Sequence, residues 1–175
     1  NKKDLFIYSY RVAGTVGLMM SKILKVEDKE SLKGAIDLGI AMQLTNIARD
    51  VVEDKKRNRE YICHSFDSIQ ETIKIADTFY ESSFPAIKAI PFSFRFSILV
   101  ARRIYRKIGY NILKQKNIKN YNDAGKIFVS NLSKTIQTFF SLFDLIKLFF
   151  VNSSNYLKKE EHLIINKEID LDERI

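Results

Sequence analysis

One cysteine in 175 residues excludes an internal disulfide and suits a reducing compartment. Cys63 itself reads as a small, half-buried side chain, the ordinary role of a free thiol. The two histidines, His64 and His162, stand too far apart, and too poorly supported by cysteine, for a zinc site. Six glycines and two prolines are too few for a turn-rich β architecture and favour long uninterrupted helices. No secretory leader is visible. The first residue is Asn1, so the chain is expected to be part of a longer protein.

What is present is an ordinary globular composition, 46% apolar and 29% charged, long enough for one domain with a core. The formal charge of +8 points to anionic partners, either nucleic acid or lipid and diphosphate groups. Its lysines are scattered, without the clustered basic surface of a nucleic-acid binder, so nucleic acid is not expected as a partner.

Helical periodicity runs through the chain. A first apolar helix covers Leu5 to about Leu24, with Ala13, Gly14 and Gly17 near one side; interior glycine, about 1 kcal/mol worse than alanine, signals close helix packing or close ligand approach. Ser31 is placed to cap a second helix reaching about Lys56. Further helices are expected over Ser68–Ser83 and Phe92–Lys116, separated by a link between Pro85 and Pro91. Asn117–Asp123 reads as a polar turn. The Phe-rich stretch from Ala124 to Val151 is interrupted by Lys134, Asp144 and Lys147 and falls short of the roughly 18 charge-free residues of a membrane span. It reads as a buried core helix, with a bilayer-surface helix as the alternative. Residues 152–175 read as a polar, frayed tail.

On a helix advancing roughly 100° per residue, Gln43, Asn46, Asp50 and Asp54 fall on one stripe, while Leu44, Ala48, Val51 and Val52 point away. Two carboxylates at i and i+4 repel unless a cation lies between them. Magnesium prefers such hard oxygen ligands and keeps substrate phosphates in its shell. A solvated polar face is the competing reading, and the residues alone leave the two level.

The run Gln43-Leu-Thr-Asn46-Ile-Ala-Arg49-Asp50-Val-Val-Glu-Asp54, followed by Arg59 and Tyr61, resembles the second aspartate-rich motif of the squalene/phytoene synthase family. Upstream, Tyr8-Ser-Tyr10-Arg-Val-Ala-Gly-Thr-Val-Gly-Leu-Met-Met is similar to that family's tyrosine-containing helix. Downstream, Ile90-Pro91 through Ala101-Arg-Arg-Ile-Tyr105-Arg-Lys-Ile-Gly109 is similar to its late helix. The three ordered blocks look most like the bacterial phytoene synthases.

The resemblance implies an all-α isoprenoid-synthase fold lacking its N-terminal helices, with residues 1–151 a partial helical domain. It implies head-to-head joining of two prenyl diphosphates, geranylgeranyl diphosphate to phytoene in carotenoid biosynthesis, through a cyclopropylcarbinyl diphosphate. A squalene- or dehydrosqualene-type synthase, and a non-catalytic homologue serving as a binding or assembly protein, are the alternatives. Asp50, Asp54 and Asn46 would hold magnesium, with manganese as a substitute and no nicotinamide. Gln43, Asn46, Arg49, Arg59 and Lys126 would bind the diphosphate, and Tyr8 and Tyr105 would line the reaction chamber as catalytic residues. Gly14 and Gly17 would let a prenyl chain approach the backbone. A cytoplasmic protein with peripheral membrane contact is expected, its oligomeric state open.

Two departures stand beside the resemblance. The family's first aspartate-rich motif has no counterpart upstream of Tyr8, so these residues alone are expected to be inactive. The link between Tyr61 and Tyr80 is also shorter than in the family.

Overall fold

The computed structural model describes residues 1–151 and 160–167, and no strand occurs among them. Asn1 caps the first helix, its Oδ1 accepting from the Asp4 amide at 2.9 Å. Helix α1 (Lys2–Ser9) runs through a five-residue π turn, Tyr10–Gly14, into α2 (Thr15–Ile23). The backbone stays right-handed helical at both joints, so the expected single helix is present with one wide turn in its tyrosine motif.

The central element is α3 (Lys29–Arg49), which packs on α2, α5 (Phe66–Ser83), α6 (Phe92–Leu113) and the 3₁₀ turn Pro85–Ala89. Its cap is Asp28, not Ser31. The Asp28 carboxylate accepts from the Ser31 amide at 2.8 Å, and Ser31 is buried in the first turn. Asp28 takes the role because an N-cap side chain must reach a free amide in that turn. Leu32, Ile36, Ile40 and Leu44 of α3 form the core with Phe6, Tyr10, Phe79 and Tyr80. Glycine lets α3 approach the first rod this closely. A Cβ on Gly17 would run into the Ala35 carbonyl, and one on Gly39 into the Ala13 carbonyl. Helix packing therefore accounts for Gly17.

The helix expected to continue to Lys56 is interrupted at Asp50 (φ −103°, ψ 14°). A short α4 (Val51–Lys56) follows. The cause lies far along the chain, where the Tyr121 hydroxyl donates to the Ala48 carbonyl at 2.9 Å and the Arg49 carbonyl at 2.7 Å. Burial raises the Tyr121 pKa to about 12, so the phenol stays a donor at any physiological pH. Tyr121→Phe is expected to lower stability by about 1–2 kcal/mol, the cost of leaving two carbonyls short of a donor. A denaturant titration with unchanged m-value checks it.

Helix α5 (Phe66–Ser83) is capped by Ser65 and leads into the 3₁₀ turn Pro85–Ala89. Helix α6 (Phe92–Leu113) crosses α3. Arg102 of α6, almost fully buried, donates through Nε and Nη2 to the Tyr80 carbonyl at 3.0 and 2.7 Å. Burial lowers its pKa to about 10, which leaves it cationic at neutral pH. Asn117–Asp123, read as a turn, forms helix α7 (Ile118–Asp123), capped by Asn117. Cys63, read as half-buried, is exposed.

The Phe-rich segment differs most from its sequence reading. Helix α8 (Asn131–Phe150) begins only after a non-helical stretch, with Ser130 as its cap. Its buried residues are Ser141, Asp144 and Leu148, and Asp144 takes both Nε and Nη2 of Arg103 at 2.5 and 2.8 Å. Its phenylalanines point outward. The apolar period locates the face correctly, but the inner side carries Ser141, Asp144 and Leu148, with Arg103 paired to Asp144.

Within the stretch expected to fray, Glu160–Asn166 form helix α9, with His162 and Ile165 buried against the core. His162 Nε2 lies 2.7 Å from Oδ1 of the fully buried Asp37, and Ser82 Oγ donates to the other oxygen at 2.5 Å. A buried carboxylate needs such partners. Residues 152–159 and 168–175 of that stretch lie outside the described residues.

Candidate active site

A cavity of about 380 Å³ lies between α2, α3, α6 and the 3₁₀ turn. Its wall is largely apolar: Val12, Val16, Met20, Leu38 and Met42 contribute, with Ile87, Ile90 and Ile98 opposite. Gln43, Asn46 and Tyr105 bring polar atoms to it. Most telling is Asn46, whose Oδ1 is buried without a hydrogen-bond partner among the described residues. An orphaned buried oxygen is unfavourable unless water or a ligand satisfies it. A cavity of this volume and composition has the form of a small-molecule site.

Beyond Asn46 the α3 stripe becomes ionic. Arg49 donates to Asp50 through Nε at 2.8 Å and Nη2 at 2.6 Å. Lys126 Nζ stands 3.6 Å from the same carboxylate and donates to Glu53 at 2.9 Å. The Glu53 contact, then the Asp50 charge, holds the lysine pKa up. The Asp50 hydrogen bonds likewise raise Arg49. Asp50 is thus a carboxylate held between two cations, in a bidentate geometry that suits guanidinium.

Asp54, one turn on, has no such clamp. Its amide donates to the Asp50 carbonyl at 2.8 Å, which preserves the i, i+4 relation across the break. Burial, then the Asp50 charge, raises its pKa, against opposing pulls from Arg59 and Arg57. A carboxylate raised by burial and by a neighbouring negative charge is a place that favours added positive charge.

Tyr8 stands outside the wall of the main cavity. It stacks on Tyr61 with ring centroids 4.7 Å apart, and the two hydroxyls are 3.0 Å apart. That hydrogen bond, then burial, raises the Tyr8 pKa, and the charges of Arg59 and Asp54 both reach it. Asp54, Arg59 and Tyr61 share a small pocket at the end of α4. The structure therefore brings the expected residues together as two neighbouring groups. Gln43, Asn46 and Tyr105 face the apolar cavity; Arg49, Asp50, Lys126 and Asp54, with Tyr8 and Arg59, surround the ionic end of the helix. Sequence reasoning passed over Glu53, which anchors Lys126, and Tyr61, which pairs with Tyr8. The motif quoted both without giving either a role.

The donor set fits magnesium in kind. Asp50, Asp54 and Asn46 offer hard oxygens, and one of them is unpaired. Among the described residues no group of three or more His, Cys, Asp or Glu side chains converges, so any metal here would need oxygens from outside the protein to complete its shell.

The family described as squalene/phytoene synthase matches residues 1–66. A 15-cis-phytoene synthase from Enterobacter agglomerans is 33% identical over 132 residues, covering 63% of this chain and 45% of that protein. The corresponding enzyme from a Paracoccus species is 36% identical over 129 residues, covering 63% and 42%. A solved dehydrosqualene synthase structure superposes with a TM-score of 0.71 at 30% identity, covering 84% of this chain and 58% of that one. The chain spans less than half the length of the curated relatives it matches.

Proposed function

The chain belongs to the squalene/phytoene synthase family, and we propose that it forms the second-aspartate-motif part of an enzyme joining two prenyl diphosphates head to head. The single observation behind this reading is the junction of an apolar cavity with an ionic helix end at Asn46, an amphiphile's shape with its charged group at one end. Geranylgeranyl diphosphate, giving phytoene, is the proposed substrate, because the phytoene synthases are similar over most of the chain. Farnesyl diphosphate is the second reading, favoured by the likeness to a dehydrosqualene synthase.

Asn46 and Gln43 sit where the prenyl chain meets its diphosphate. Arg49, Arg59 and Lys126 contact diphosphate oxygens and stabilise charge as the allylic C–O bond breaks. Magnesium held by Asp50, Asp54 and Asn46 supplies further leaving-group stabilisation when bound; manganese is the substitute, and no nicotinamide is needed. The apolar wall excludes water from the carbocation. Tyr105 faces that cation from α6, and its ring is a suitable neighbour. Tyr8, with its proton retained through Tyr61, serves proton transfer at the diphosphate end.

No helix among the described residues is long and apolar enough to cross a membrane. Peripheral attachment from the cytoplasm is part of the proposal, since substrate and product are lipids.

The natural full-length protein, incubated with magnesium and geranylgeranyl diphosphate, is expected to release phytoene. Product from farnesyl diphosphate alone would select the second reading. Turnover of neither would overturn both.

A further inference from the structure

We infer that Tyr121 of α7 is a positioning residue for the diphosphate end of the site. The inference rests on the function proposed above and names the residue that sets Arg49, Asp50 and Lys126 in their places. Neighbouring side chains on an unbroken α-helix point about 100° apart and do not face one another. Arg49 and Asp50 are neighbours, yet they form a bidentate pair through Nε at 2.8 Å and Nη2 at 2.6 Å. The pair coincides with the point where Asp50 leaves the helix, at φ −103° and ψ 14°. A side chain inserted into the hydrogen-bond ladder is one of the few causes of a helix break, and proline and glycine are others. Neither proline nor glycine occurs between Gln43 and Lys56. The inserted group is the Tyr121 hydroxyl, which shares its proton between the Ala48 and Arg49 carbonyls at 2.9 and 2.7 Å. In an unbroken helix those carbonyls would accept from the Val52 and Glu53 amides. The phenol thus keeps the break open at the residue whose carboxylate turns toward Arg49.

The same residue brings in the second cation. The Tyr121 ring is buried in one cluster with Ala48, Val51, Ile112 and Ile127, which fastens α7 to the corner between α3 and α4. Gly125, at φ 62° in the left-handed region, ends α7. Lys126 follows directly, its Nζ 3.6 Å from Asp50 and 2.9 Å from Glu53. Burial of Ile127 in the Tyr121 cluster holds the lysine from its other side. One phenol therefore sets the carboxylate and both cations that flank it, without itself facing the ligand. Residues that orient a ligand shell in this way cost about 10- to 100-fold in affinity or activity when they are lost.

The test is titration calorimetry of the natural full-length protein with inorganic pyrophosphate and magnesium, beside a melting curve for each variant. Tyr121→Phe keeps the ring and removes the hydroxyl. It is expected to bind pyrophosphate about tenfold or more weakly, and the magnesium concentration for half-maximal turnover should rise with it. Ile112→Val, which removes one methylene from the same cluster, should lower the melting temperature and leave both readouts at the parent value. Lys126→Gln should weaken binding in the parent but add little to Tyr121→Phe, because the tyrosine places the lysine. Para-aminophenylalanine at position 121 returns a donor to the break and should restore binding. If the parent binds no pyrophosphate with magnesium, the diphosphate reading fails, and this inference with it. If the parent binds and Tyr121→Phe binds equally well, the positioning role fails while the proposed function stands. An equal loss in Ile112→Val, or losses that multiply when Tyr121→Phe and Lys126→Gln are combined, would also overturn it. Should Tyr121→Phe not fold, the para-aminophenylalanine variant decides. Parent-like binding supports the role, and weak binding at a parent-like melting temperature overturns it.

Discussion

Asp54→Asn is expected to separate activity from stability. Turnover by the full-length enzyme should fall by about 10³-fold, the scale of removing one element that stabilises developing charge on the leaving group. Folding should not suffer. Burial and Asp50 raise the folded-state pKa of Asp54, so its ionised form opposes folding. That penalty is absent below the unfolded-state pKa and complete above the folded one. Asparagine removes it, and the variant should melt about 1–3 °C above the parent at neutral pH, with the gain vanishing as pH falls through the carboxylate range. Asp50→Asn should lose activity to a similar degree without the thermal gain, because Arg49 and Lys126 already neutralise Asp50. Product formation and a melting curve at two pH values check both variants. An Asp54→Asn protein with near-parent turnover would remove this helix from the reaction.

The second large effect lies in the backbone. Helix propensity alone predicts that Gly39→Ala stabilises α3 by up to about 1 kcal/mol. Packing predicts the reverse, since the added Cβ would run into the Ala13 carbonyl, 2.6 Å from its carbon and 2.9 Å from the Gly14 nitrogen. Backbone cannot swing aside like a side-chain tip, so packing wins. Gly39→Ala should lose about 2–3 kcal/mol, and Gly39→Val should lose more. Gly109→Ala is the control. There the new Cβ would meet the Ile73 side chain at 3.2 Å, a neighbour able to yield, so the change should be close to neutral. Urea titrations of the three variants give the ranking, and equal stabilities for Gly39→Ala and Gly109→Ala would refute it.

Much of the α3 site was legible in the sequence, because i, i+4 spacing of oxygen donors survives any detail of tertiary packing. Asn46 and Gln43 meet the cavity as their stripe required. The break at Asp50 was not legible. Its cause, Tyr121, lies 73 and 72 residues from the carbonyls it binds, beyond any local signal. Helix α8 failed for another reason. A hydrophobic period locates an apolar face but does not say what that face meets, and the Arg103–Asp144 pair on the inner side is a long-range contact. His162 was likewise a lone histidine in a polar stretch until Asp37 stood opposite it. Lys126 is found beside Asp50 because Tyr121 ties α7, the segment just before it, to the end of α3.

The Asp37–His162 contact also governs when this bundle can be finished. Asp37 is translated 125 residues before its partner, roughly ten seconds at ribosomal speed, and for that interval a carboxylate destined for the core lacks one of its two hydrogen bonds. Over that interval Ser82 alone satisfies it, and the second bond forms only once α9 has been made. This part of the core is therefore completed by α9, long after the helix that it closes.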